Sequence, residues 1–156
     1  MEISQIKSSQ IRAMKIDTGG KKMVMVFDFD GTISEEDIFD SLFAEYADPE
    51  WWTAHRAYRD EKLTLKEAYL KMTEYFQGSQ KALYNFLRQK SRLRKGFKEL
   101  LSKLQAHDIR SMIVSNGFDI YILYLLKLWQ IDYQNMDIKC HHAEIIHNRF
   151  TPSFQE

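Results

Sequence analysis

A single cysteine, Cys140, leaves this chain unable to form an internal disulfide. One thiol in 156 residues suits a reducing compartment. An excess of either charge is also missing, since Lys+Arg and Asp+Glu each number 22. Without a basic surplus, nucleic acid is not an expected partner. No apolar run approaches the ~18 residues of a membrane-spanning helix, and the N-terminus lacks a secretory core. The expected location is cytoplasmic, away from membranes. A composition 44% apolar and 28% charged is that of an ordinary soluble domain. At this length one domain with a small insert buries roughly 70% of its unfolded surface, enough for a real core.

The chain is organised around Met23-Val24-Met25-Val26-Phe27-Asp28-Phe29-Asp30-Gly31-Thr32. Five successive apolar residues read as a strand buried on both faces. Side chains alternate along a strand, so Asp28 and Asp30 point the same way, about 7 Å apart. Phe29 points back into packing. Two carboxylates aimed together repel each other and lose water, so they call for a shared cation or proton. Gly31 permits a sharp turn, and backbone N–H groups at Phe29, Gly31 and Thr32 are the expected anion cradle. A lone D-x-D is more often a strand end with two solvated acids. The full string after an apolar strand is far more specific.

DFDGTI resembles the first signature motif of the haloacid dehalogenase superfamily of phosphohydrolases. The resemblance implies that Asp28 accepts the phosphoryl group and that Asp30 acts as acid and base on the leaving group. It also implies Mg²⁺ as cofactor, bound by the Asp28 carboxylate and the Asp30 main-chain carbonyl, with a small phosphorylated metabolite as substrate.

Residues 1–22 read as a flexible leader. Ser34 is the expected N-cap of the next helix, with Asp37 three positions on. Helical spacing then runs through Ile38, Phe39, Leu42 and Phe43, again after Pro49, from Leu65, and from the Ser79 cap. Residues 37–90 are therefore expected to be helical throughout, a cap inserted between core segments 23–36 and 91–156. Arg92, Arg94 and Lys95 read as a solvated hinge. Phe97, Leu100, Leu101 and Leu104 predict an amphipathic helix ending near His107. Ile109–Val114 predicts a second buried strand, Phe118–Trp129 a very apolar helix, and Met136–Cys140 a third strand. A hairpin is expected around 143–150. Alternating strands and helices predict an α/β fold with a parallel, Rossmann-like sheet.

Ser115-Asn116-Gly117 falls at the end of the second strand, where ligands bind in such sheets. Its hydroxyl and the N–H groups of Asn116 and Gly117 are the expected second phosphate contact. Alone, S-N-G is an ordinary turn; beside DFDGT it resembles the superfamily's second motif. Pro49-Glu50-Trp51, Leu65-Lys66-Glu67-Ala68, Arg94-Lys95-Gly96-Phe97, SNGFD and Cys140-His141-His142-Ala143 resemble the phosphoserine phosphatase-like branch. Within it they match the methionine-salvage subfamily best, from about Lys22 to Phe150.

That family has two further motifs, a phosphate-binding lysine and an acidic pair completing the Mg²⁺ site. Lys127 and Lys139 lie in a helix and a strand and fit neither. A carboxylate and one phosphate charge about 4 Å apart repel by roughly 4 kcal/mol at an effective dielectric of 20. The chain thus reads as the N-terminal two-thirds of a phosphatase, its sheet incomplete at the C-terminus. The alternative is a truncated, inactive binding module. Too few elements are expected to hide Ile120, Leu123, Leu126 and Trp129, so marginal stability and a homodimer through an uncovered sheet edge are expected. Cys140, His141, His142 and His147 lack the spacing and second cysteine of a zinc finger. Trp51, Trp52, Tyr58 and Tyr69 read first as cap packing and second as substrate pocket.

Overall fold

The structure is a computed structural model that describes Gly19 and residues 22–154. The expected leader therefore lies outside the described residues, except for Gly19 and Lys22. Strand β1 (Val24–Phe27) is followed by α1 (Ile38–Tyr46), α2 (Trp51–Arg59), α3 (Leu65–Thr73), α4 (Gln80–Lys90) and α5 (Phe97–Ala106). Then come β2 (Arg110–Phe118), α6 (Asp119–Leu128), β3 (Asp137–Ile146) and β4 (Arg149–Ser153). The sheet order is β1-β2-β3-β4, the first three parallel and β4 antiparallel to β3. The sheet is mixed rather than wholly parallel because β4 returns directly through a two-residue turn. His147 and Asn148 both have positive φ, 48° and 62°, the left-handed pair that a tight hairpin needs. Among the described residues no helix is long and apolar enough to cross a membrane.

Local sequence explains the helix starts. Asp37 caps α1 by accepting from Asp40 N at 2.9 Å. Ser34, the expected cap, is instead fully buried, and its hydroxyl donates to the carbonyls of Phe29 and Glu36. A buried hydroxyl surrounded by turn carbonyls gains more there than at a helix end facing water. Thr64 and Glu67 form a reciprocal capping box on α3, and Ser79 caps α4 through Ala82 N at 3.1 Å.

An aromatic cluster joins the helices to the sheet. Phe39 lies 5.7 Å from Phe118 of β2, and Phe43 lies 5.6 Å from Phe150 of β4, centroid to centroid. Phe39, Phe43, Phe76, Phe118 and Phe150 are all buried, so α1 is fixed against the C-terminal ends of the strands.

Two burial expectations are corrected. β1 is not buried on both faces: Val24 and Val26 are 52% and 54% exposed. It lies at the edge of the sheet, paired only with β2 among the described residues. Conversely, α6 is better covered than expected: Leu126 is fully buried, Ile120 and Trp129 are half-buried, and Leu123 alone of the four is exposed. The tyrosine and aliphatic face of α6 packs on β3 and α4, while Leu123 and Leu128 of α6, Val24 and Val26 of β1, and Val114 remain among the exposed apolar side chains.

The expected solvated hinge does specific work. Arg94 donates from Nε to the Thr32 carbonyl at 2.7 Å and from its guanidinium to the Gly31 carbonyl at 2.6 Å. The same group reaches the carbonyls of Ser34 and Glu35, while Arg94 N donates to the Ile33 carbonyl. One side chain thus gathers the outward carbonyls of the loop after β1. Arg94→Ala should cost about 2 kcal/mol by orphaning several of them, and Arg94→Lys should recover less than half. Urea melts of the three proteins check this.

Candidate active site

The C-terminal end of β1 opens into a loop folded around one oxygen. The Phe29 carbonyl accepts from the N–H groups of Thr32, Ile33 and Ser34 at 3.1, 2.9 and 3.1 Å. Gly31 takes φ +68°, where a side chain is strained, and its N–H donates to the Glu36 carbonyl at 3.0 Å. Phe29 is fully buried, its ring 6.0 Å from Trp129 in a stacked arrangement. With Phe29 locked inward, Asp28 and Asp30 both line one cavity of about 210 Å³.

Ser115, Asn116 and Gly117 line the same cavity, by a different local structure from the expected strand-to-helix turn. β2 runs on to Phe118. Val114 pairs with Lys139 and Phe118 with His141, so four steps along β2 match two along β3. The surplus bulges out of the sheet and delivers Ser115–Gly117 to the cavity. Helix α6 begins at Asp119 with Phe118 as its N-cap, so the segment directly precedes that helix, as expected. Ser115 Oγ accepts from Gly117 N at 3.0 Å, so that N–H is held within the bulge rather than pointing free. Gly31 and Thr32 do not line the cavity; Thr32 is exposed and Phe29 presents no side chain to it.

Asp30 is the most constrained group. Oδ1 accepts from Ile38 N at 2.9 Å and Oδ2 from the Tyr121 hydroxyl at 2.7 Å. Burial, then the Asp37 carboxylate, push its pKa up to about 7; the Tyr121 and Ile38 donors pull the other way, and Asp28 adds a smaller upward push. Tyr121 is fully buried beside Asp30 and is driven well above the ordinary phenol range, so it stays a donor. The consequence for stability has a definite sign. Between about pH 4 and pH 7 native Asp30 holds a proton that the unfolded chain, with an ordinary value of 3.8, has lost. Stability therefore falls as pH rises through that window, by about 4 kcal/mol at most. Asp30→Asn should flatten this slope and melt higher than the parent at pH ~8, with little difference at pH ~4. Thermal melts across that range in metal-free buffer check it.

Asp28 accepts only from its neighbour's backbone, Phe29 N at 2.7 Å, among the described residues. The Asp30 main-chain carbonyl accepts no hydrogen bond from them either. These are hard oxygen donors of the kind Mg²⁺ takes, and that ion commonly binds through one or two protein oxygens plus water and phosphate. The donor set fits Mg²⁺ chemically but is small: no group of three acidic, histidine or cysteine ligands is assembled among the described residues.

The opposite wall comes from the helices and includes Asp37, Asp40, His55, Tyr58 and Tyr69. The sequence pointed only to the aromatic members. Among the described residues no lysine or arginine lines the cavity. A larger open groove of about 540 Å³ lies between α4, α6 and β3. Its Asp119 is engaged, accepting from Ala143 N at 3.1 Å and pairing with His142 Nδ1 at 2.7 Å, so it offers no free acid pair.

Asp28 and Asp30 at the end of β1 and Ser115 on the neighbouring β2 thus line one cavity. The sequence profile of haloacid dehalogenase-like hydrolases matches residues 25–153. The chain belongs to that family. A 2-hydroxy-3-keto-5-methylthiopentenyl-1-phosphate phosphatase of Geobacillus kaustophilus is 34% identical over 108 residues, 69% of this chain and 49% of its own length. A namesake from Brevibacillus brevis is 27% identical over 132 residues, 84% of this chain and 59% of its own. This haloacid dehalogenase-like chain spans about half the length of the curated relatives it matches. A HAD family hydrolase of Salmonella enterica serovar Typhi superposes with a TM-score of 0.68 at 21% identity, over 88% of this chain and 47% of that one. A phosphoserine phosphatase captured as a phospho-aspartyl intermediate analogue gives 0.66 at 19%, over 84% and 61%. Those likenesses establish the fold.

Proposed function

We propose that the chain carries the nucleophile and acid–base half of a phosphomonoester hydrolase site acting through an aspartyl-phosphate. The observation that carries this reading is the contrast between the two acids. Asp28 has one local hydrogen bond among the described residues, whereas Asp30 is half-buried, doubly hydrogen-bonded and raised to about 7. A free carboxylate beside a carboxylic acid poised near neutrality is the division of labour that acid-assisted phosphoryl transfer needs.

An Asp28 oxygen attacks phosphorus as the bond to the leaving oxygen breaks, and Asp30 gives its proton to that oxygen. Asp30, now ionised, takes a proton from water as the water attacks the acyl phosphate. Inorganic phosphate leaves, and both acids return to their starting states. Ser115 Oγ lines the cavity at the bulge on β2 and accepts from Gly117 N, and in this reading its O–H donates to a phosphoryl oxygen. Asp28 and the Asp30 main-chain carbonyl would hold Mg²⁺, which would supply positive charge to offset that of the phosphate. The Tyr121 and Ile38 donors keep the Asp30 carboxyl oriented throughout.

The substrate under this reading is a small phosphorylated metabolite, and 2-hydroxy-3-keto-5-methylthiopentenyl-1-phosphate, named for the curated relatives, is the first to assay. A cavity lined by Asp28, Asp30, Asp37 and Asp40, with no Lys or Arg among the described residues, favours a second reading, a module that binds phosphate without turning it over. Mg²⁺-dependent release of para-nitrophenol from para-nitrophenyl phosphate separates the two. Turnover that needs Asp28 supports the hydrolase; binding of inorganic phosphate without turnover supports the module.

A further inference from the structure

The helical wall of the cavity carries a pair that phosphate chemistry alone does not use. His55 Nε2 of α2 lies 3.3 Å from Asp40 Oδ2 of α1. The His55 ring stacks on Trp52, with centroids 4.3 Å apart and planes at 15°, and meets Trp51 edge-on. Its side chain is 14% exposed, and its buried Nδ1 has no hydrogen-bond partner among the described residues. An imidazole held on one side by a carboxylate and on the other by two indoles has little freedom to turn. Asp40 is fixed in turn, because its N–H is capped by Asp37 and it sits in the first turn of α1. The Arg59 guanidinium acts on Asp40 electrostatically but does not line the cavity.

We propose that the Asp40–His55 pair selects the leaving group, admitting alcohols that present hydroxyl or ammonium donors and rejecting those with a carboxylate or second phosphate. This rests on the reading of Asp28 as phosphate acceptor, which fixes the phosphate at the strand end and turns the leaving group toward the helices. A hydroxyl or ammonium there donates to the Asp40 carboxylate. A carboxylate meets Asp40 and Asp37, and among the described residues no lysine or arginine lines the wall to offset them. His55 keeps the Asp40 carboxylate aimed into the cavity, and Tyr69, half-buried and pushed far above the ordinary phenol range mainly by burial, remains a neutral donor. Selection thus works by repulsion as much as by attraction.

The test is calorimetric titration of the full chain, with Mg²⁺, by inorganic phosphate, glycerol 1-phosphate, phosphoethanolamine and 3-phosphoglycerate. The first two esters should bind about 100-fold more tightly than 3-phosphoglycerate. In Asp40→Asn, an isosteric change, that ratio should collapse to about 3-fold, and His55→Gln should narrow it in the same direction. Circular dichroism melts confirm that both variants fold. Equal binding of 3-phosphoglycerate and glycerol 1-phosphate by the parent overturns this inference alone, as does an unchanged ratio in a folded Asp40→Asn protein. Failure of inorganic phosphate and every ester to bind overturns the phosphate-site reading and this inference with it.

Discussion

Asp28→Asn is expected to lower Mg²⁺-dependent hydrolysis of para-nitrophenyl phosphate by about 10⁴-fold or more while the fold stays intact. An amide oxygen is a poor nucleophile and forms no stable acyl phosphate, so the covalent route closes. The structural cost is small, because Asp28 is exposed and its one hydrogen bond among the described residues is from Phe29 N. Asp28→Asn also removes a negative charge from a cavity that holds Asp30, Asp37 and Asp40. Thermal stability should therefore stay level or rise slightly. Steady-state rates and a melt on the same preparation check both halves. A residual rate within 10-fold of the parent would assign the chemistry elsewhere.

Gly117→Ala should be the most damaging of the small substitutions. Its φ is ordinary, so the objection is space rather than backbone strain. An added Cβ would overlap the Tyr121 hydroxyl and come within 2.5 Å of Asp30 Oδ2. Neither neighbour can yield. Tyr121 is fully buried in α6, and Asp30 is held by Ile38 N and by Tyr121 itself. The methyl must break the Tyr121–Asp30 hydrogen bond and displace the acid, at about 2 kcal/mol of stability and about 100-fold in rate. Gly31→Ala makes the contrast: nothing lies within 4 Å of its Cβ, so the penalty is backbone strain at φ +68° alone, about 1 kcal/mol. Denaturant melts and rates for both variants check the ordering. A Gly117→Ala protein as stable and active as Gly31→Ala would show that Tyr121 does not brace Asp30.

The parts legible in the sequence are those where chemistry and periodicity coincide. Asp28 and Asp30 after five apolar residues announced a strand end with two converging acids. Thr64, Ser79 and the heptad-like spacing of α1, α4 and α5 announced helices between two sheet segments. The illegible parts depend on partners distant in sequence. Tyr121 lies in a run of leucines and isoleucines whose period says only that the helix is buried. Its hydroxyl matters because Asp30, 91 residues earlier, lies opposite it. Arg94 looked like one charge in a basic stretch, and only the convergence of loop carbonyls 59 to 63 residues away reveals its role. The bulge at Ser115–Gly117 depends on register against β3, which no local pattern encodes. The apolar run of β1 implied burial on both faces, yet Val24 and Val26 are exposed, because strand composition does not report which neighbours are present.

Covalent capture of the acyl phosphate tests the account most directly. The full chain is mixed with Mg²⁺ and para-nitrophenyl phosphate, quenched in acid, and treated with borohydride, which reduces an aspartyl-phosphate to homoserine. Peptide mass spectrometry then reads position 28. Homoserine in place of Asp28, absent without Mg²⁺ and absent in Asp28→Asn, is the predicted result. Release of para-nitrophenol with Asp28 unmodified, or with the reduction mark on another acid, would contradict it.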